Sequence, residues 1–127
     1  MQNFGNLVYK NEDSGFKLAP VVKITIENLA QKEVTVQDPS QPLLAIFLNE
    51  YIDWMHACGG KGRCTTCKMR VVEGMVQLSS PTLPELKYRE QGRLGENERL
   101  ACQTRATGNC RVRVPDECKM PHMHYSD

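Results

Sequence analysis

The chain reads as a single α+β domain, one sheet packed by helices, and three observations predict it. Apolar residues alternate with polar ones near both ends, and in between they recur at helical spacing. A long cysteine- and glycine-rich loop then separates the main helix from the strands that follow it. A chain of 127 residues is long enough to bury one core but not two.

Val22, Ile24 and Ile26 alternate with Lys23, Thr25 and Glu27, the period-two pattern of a half-buried strand. Residues 28–32 read as a turn, and Val34 and Val36 carry the alternation back as the second strand of a hairpin. Ser40 is expected to cap a helix whose first turn tolerates Pro42. Leu43, Leu44, Phe47, Leu48 and Tyr51 give that helix an apolar face to lay on the sheet. After the loop, Met69 and Val71 alternate with Lys68, Arg70 and Val72, and Gly74 turns the chain into residues 75–78 as a further strand. Thr82-Leu83-Pro84-Glu85 is a capping box. It opens a short helix, ending near Gly92, with Leu83 and Leu86 expected to face inward. Residues 111–114, Arg-Val-Arg-Val, close the sheet before Pro115. The expected organisation is an N-terminal extension over 1–19, the domain over 20–117 and a C-terminal tail over 118–127.

Composition removes several classes of function. The formal charge is +1, and no basic stripe interleaved with aromatics suggests nucleic acid. No apolar run approaches the ~20 residues that span a bilayer. The first residues lack a basic and then apolar leader pattern, so a cytoplasmic location is expected. No pattern demands self-association, so a monomer is expected. Nothing supplies an acid–base pair, a nucleophile constellation or a nucleotide loop, which argues against an enzyme.

The chemistry lies in the cysteines. Cys58-Gly59-Gly60-Lys61-Gly62-Arg63-Cys64-Thr65-Thr66-Cys67 places three thiols in ten residues, and Cys102 follows after 34 more. Four thiolates suit a [2Fe–2S] cluster, because each tetrahedral iron takes two terminal sulfurs besides the bridging sulfides. The glycines suit a backbone that turns amide N–H groups towards sulfur in unusual dihedrals. A lone C-x2-C is shared with zinc sites and redox dithiols. Structural zinc usually draws on two short-spaced pairs, whereas these four divide three and one.

These residues resemble the [2Fe–2S] ferredoxins of β-grasp fold. The similarity covers the cluster loop 57–67, the strand after it, and Arg99-Leu100-Ala101-Cys102-Gln103, which is similar to the family's fourth-ligand motif. It extends over roughly residues 21–116, and the five-residue first gap is like that of adrenodoxin-like and bacterial modules rather than the plant-type C-x4-C. The resemblance implies a mixed sheet packed by one main helix, with Cys58, Cys64, Cys67 and Cys102 as ligands. It also implies one-electron transfer between redox partner proteins, a reductase and an acceptor. An iron–sulfur sensor and a zinc-stabilised interaction module are the alternatives.

The cluster would subtract about two charges from the formal total in its oxidised state. Residues 55–72 hold Lys61, Arg63, Lys68 and Arg70 and no acid, so positive charge near the cluster is expected to raise its potential and steer an acidic partner. The helix after Thr82 lacks the acidic run with which adrenodoxin-like proteins dock. Gly59 to Arg63, Thr65 and Thr66 are the nearest donors to sulfur; Ala57 and Ala101 leave room beside ligands. Trp54 is expected to pack beside the loop, and His56 to tune the cluster or sit at its rim. Cys110, in phase with Val112 and Val114, and Cys118 are read as non-ligand thiols, Cys110 a buried one. The soft donors Met120, His122, Met123 and His124 are read as a surface tail.

Overall fold

The computed structural model describes residues 21–57, 62 and 64–127. The extension read over residues 1–19 lies outside them, as do Cys58, Gly59, Gly60, Lys61 and Arg63.

Strand β1 (Val22–Ile26) and strand β2 (Lys32–Val36) form the expected antiparallel hairpin, with Val22 opposite Val36. The turn needs left-handed backbone at Ala30 and Gln31, φ 55° and 57°. Helix α1 spans Leu43–Asn49, strand β3 Lys68–Glu73, helix α2 Leu83–Glu90, strand β4 Glu98–Leu100 and strand β5 Cys110–Arg113. The sheet order is β2-β1-β5-β3-β4. β5 lies in the middle, parallel to β1 and antiparallel to β3, so the sheet is mixed. Its inner face buries Ile24, Ile26, Val34, Met69, Val71, Cys110 and Val112 beneath Leu43, Leu44 and Phe47 of α1. This is the α+β, β-grasp arrangement that the sequence predicts.

Four local expectations are corrected. Ser40 does not cap α1: its hydroxyl binds Asp38 at 2.6 Å, and the N-cap is Pro42. The free amides of the first turn are satisfied from a distance instead. Leu43 N–H donates to Thr104 O at 2.8 Å and Leu44 N–H to Ala101 O at 3.0 Å. Tyr51 does not belong to the buried face. The helix stops at Asn49, Tyr51 N–H returns to Leu48 O, and Ile52 N–H returns to Phe47 O at 3.0 Å. That is a Schellman ending with Tyr51 in the left-handed position at φ 61°. The ending breaks the helical period, leaving Tyr51 exposed and burying Ile52, while Leu48 also faces outward.

The third correction concerns α2. Leu83 and Leu86 point to solvent, 81% and 48% exposed, while Glu85 and Tyr88 are buried. The capping box forms as read, but its Glu85 is needed inside, for reasons given below. Residues 75–78 are not a strand: Met75–Gln77 is a single 3-10 turn, and Leu78 makes one isolated bridge to Ala106. Gly74 enters this turn at φ 89°, where a Cβ would lie 2.6 Å from Cys110 Cβ. The strand beside β3 is β4, three residues whose buried Arg99 and Leu100 show no alternation.

Candidate metal centre

Cys67 ends the cluster loop at the mouth of β3, and Cys102 follows β4, its pairing partner. Lys68 is opposite Leu100 in that ladder, so a three-residue strand brings two cysteines 35 positions apart to one point. The backbone then locks them together. Ala101 N–H donates to Cys67 O at 3.1 Å, and Cys102 N–H donates to Cys67 Sγ at 3.5 Å. Both thiols are buried, and Ala101 beside them is fully so.

Sulfur here is surrounded by donors. Gln103 Nε2 reaches Cys102 Sγ at 3.6 Å, and the Gly62 backbone amide also binds it. Thr66 Oγ1 lies 3.1 Å from Cys64 Sγ. The mutual hydrogen bond of the Cys67 and Cys102 thiols lowers Cys102 against the effect of burial, and with burial it raises Cys67. Gln103 and Gly62 further favour the Cys102 thiolate. Gly62 sits at φ 70°, and a Cβ there would come within 3.1 Å of Gln103 Nε2 and of Pro84. A side chain there would be strained by the positive φ and would crowd the Cys102 turn and α2.

The described sulfurs are thus a tight pair plus Cys64, half-buried, on the loop. Among the described residues, no three of His, Cys, Asp and Glu gather closely enough for a single ion. The donor chemistry fits a [2Fe–2S] cluster: thiolates in pairs, with amide hydrogens aimed at sulfur. Cys58, the remaining sulfur of the motif, lies outside the described residues.

The chain matches the family described as "2Fe-2S iron-sulfur cluster binding domain" over residues 25–107. It belongs to that family. Two curated relatives are subunits of the Na(+)-translocating NADH-quinone reductase, one from Pseudomonas aeruginosa and one from Haemophilus influenzae. The first is 34% identical over 80% of this chain and 24% of its own length; the second is 32% identical over 76% and 22%. The chain therefore spans about a quarter of the length of the curated relatives it matches. A solved ISC-like [2Fe–2S] ferredoxin from Pseudomonas putida superposes with TM-score 0.60 at 25% identity, over 83% of this chain and 99% of that one. A ferredoxin from Rhodopseudomonas palustris HaA2 shares the fold at TM-score 0.57 and 22% identity, over 76% of this chain and 97% of that one. The domain is thus of the [2Fe–2S] ferredoxin-like, electron-transfer type. Among the described residues, no helix is long and apolar enough to cross a membrane.

The residue that the sequence undervalued is Glu85. Read as a helix cap, it also holds the turn that carries Cys102. Its carboxylate takes Arg99 Nε at 2.8 Å and Nη2 at 3.1 Å, Leu100 N–H at 2.9 Å and Thr82 N–H at 3.0 Å. Thr104 adds its hydroxyl at 3.3 Å. Burial would raise the Glu85 carboxyl, but these donors outweigh it and hold the group below the usual carboxylate range. Arg99 and Glu85 are both essentially inaccessible, so the pair ties α2 to β4 and to the turn carrying Cys102. The capping-box spacing signalled Glu85; nothing in the sequence paired it with Arg99.

The expected basic face is smaller than the sequence suggested. Lys68 is buried between Glu117 at 3.0 Å and Glu98 at 3.5 Å, and Arg70 lies on the outer sheet face opposite Arg113. Lys61 and Arg63 remain as the loop's own charges in sequence. His56 is exposed with Nδ1 2.8 Å from Trp54 O. Burial pushes both Cys110 and Cys118 up to about 11. His122 contacts Asp53 at 2.8 Å, and Asp127 reaches Lys119 at 2.8 Å and Arg113 at 3.0 Å, so residues 118–127 fold back on the domain.

Proposed function

We propose that Cys58, Cys64, Cys67 and Cys102 are the four ligands and that the domain works as a one-electron carrier. A reductase would load it, and an acceptor protein would unload it. When bound, a [2Fe–2S] cluster accepts and returns a single electron. The chain's own residues supply the rest. Buried Cys67 and Cys102 hold two sulfurs in a preset pair, and Gly62, Gln103 and Thr66 aim donors at sulfur, which favours added negative charge. The buried Glu85–Arg99 pair ties the turn that carries Cys102 to α2.

The observation that carries this reading is the Cys67–Cys102 pair, assembled by strand pairing from distant parts of the chain. Cysteines used as ligand thiolates suit a reducing, cytoplasmic setting. The curated relatives favour a second reading for the whole protein, in which the domain delivers electrons inside a larger reductase. The test is a visible spectrum of anaerobically purified protein before and after dithionite, with iron and acid-labile sulfide assayed. Two irons, two sulfides and reversible bleaching are expected, with the spectrum lost or altered in each single Cys→Ser variant. A normal spectrum in any of the four would remove that residue from the set.

A further inference from the structure

Trp54 makes one polar contact through its ring, and its acceptor is the backbone of a cluster-loop cysteine. Nε1–H donates to Cys67 O at 3.1 Å, across the whole length of that loop. The same carbonyl accepts Ala101 N–H at 3.1 Å. Cys67 is therefore held at its carbonyl by the stalk of the loop and by β4's exit, and at its sulfur by Cys102 N–H. The indole is 2% exposed, and its ring lies 4.6 Å from that of Phe47 on α1, tilted by 33°. Its own carbonyl faces the His56 ring at 2.8 Å. The ring packs against Phe47 as one of several core neighbours, and a buried indole N–H requires an acceptor. Here that acceptor belongs to a residue of the metal centre.

We propose that Trp54 is a positioning residue for the cluster: its indole N–H clamps the stalk of the loop onto Cys67 and so sets both the potential and the retention of the group. The inference rests on Cys67 being a ligand. A donor on the Cys67 carbonyl draws electron density from the peptide units next to the sulfur, which favours the more negative, reduced state. It also ties Trp54 to Cys67 at the start of β3 through a buried hydrogen bond, which must break before Cys67 can leave its place.

Trp54→Phe tests this cleanly. It keeps an aromatic ring against Phe47, and the Cys67 carbonyl keeps Ala101 N–H, so no buried acceptor is orphaned. The expected result is a lower midpoint potential and iron release to a chelator faster by roughly two- to tenfold. Phe47→Leu is the control: it loosens the packing but leaves the indole bond, so it should lower thermal stability with the midpoint unchanged. A Trp54→Phe protein with wild-type midpoint and release rate overturns the inference, even if its melting temperature falls. A wild type without iron and sulfide would overturn the ligand assignment, and this inference with it.

Discussion

Glu85 shows how one side chain can serve two levels of structure. Its carboxylate caps α2 and neutralises Arg99, and donors from three segments converge on it. Glu85→Gln keeps the shape but leaves Arg99 buried without a counter-charge, which should cost about 3 kcal/mol in urea unfolding at pH 7. The pH dependence has a definite sign. The folded-state pKa is depressed, so the stabilisation is complete above the unfolded value near about 4.3 and fades as the pH falls through the lower folded value. The gap between wild type and variant should therefore narrow below about pH 4, and a constant gap would show that Glu85 is not the titrating group.

At the scale of elements, helix ends and short strands do the positioning. α1 has only seven residues, and it starts on carbonyls of the Cys102 turn and ends on a left-handed tyrosine. Left-handed backbone costs a Cβ-bearing residue about 1 kcal/mol, and the 96% exposed Tyr51 ring buries almost nothing in return. Tyr51→Gly should raise stability by about 0.5 kcal/mol, read as a higher urea midpoint; a loss would mean that the exposed ring has a contact worth more than the strain. α2 turns a charged side inward because the Glu85 pair must be buried, and its leucines are displaced to solvent.

For the molecule as a whole, the question is which charges act on the centre. Folding pairs Lys68 with Glu117 and Glu98 and places Arg70 on the outer sheet face opposite Arg113. Lys61 and Arg63 are left beside Gly62 in sequence. Replacing both by Gln should lower the midpoint potential, on the order of tens of millivolts at low salt and less at high salt. Redox titration decides it, and an unchanged midpoint would mean that solvent screens both side chains.

The family signature of the cysteine loop, the β1–β2 hairpin, the buried phase of β5 and the capping box of α2 are all legible in the sequence. Each depends on neighbours a few residues apart: period-two alternation, fixed cysteine spacing, or a Thr and Glu three positions apart. Strand order is not legible, nor is the meeting of Cys67 with Cys102, nor the pairing of Glu85 with Arg99. β4 has no alternation to betray it, because both Arg99 and Leu100 are buried, and its register with β3 exists only once the chain has folded. Apolar spacing alone mispredicts the inward side of α2. A buried ion pair rich in donors outweighs two leucines, and that balance is set largely by partners 14 to 19 residues away. Local spacing points to the cysteines of this centre; long-range strand pairing and one buried carboxylate hold Cys67 and Cys102 together.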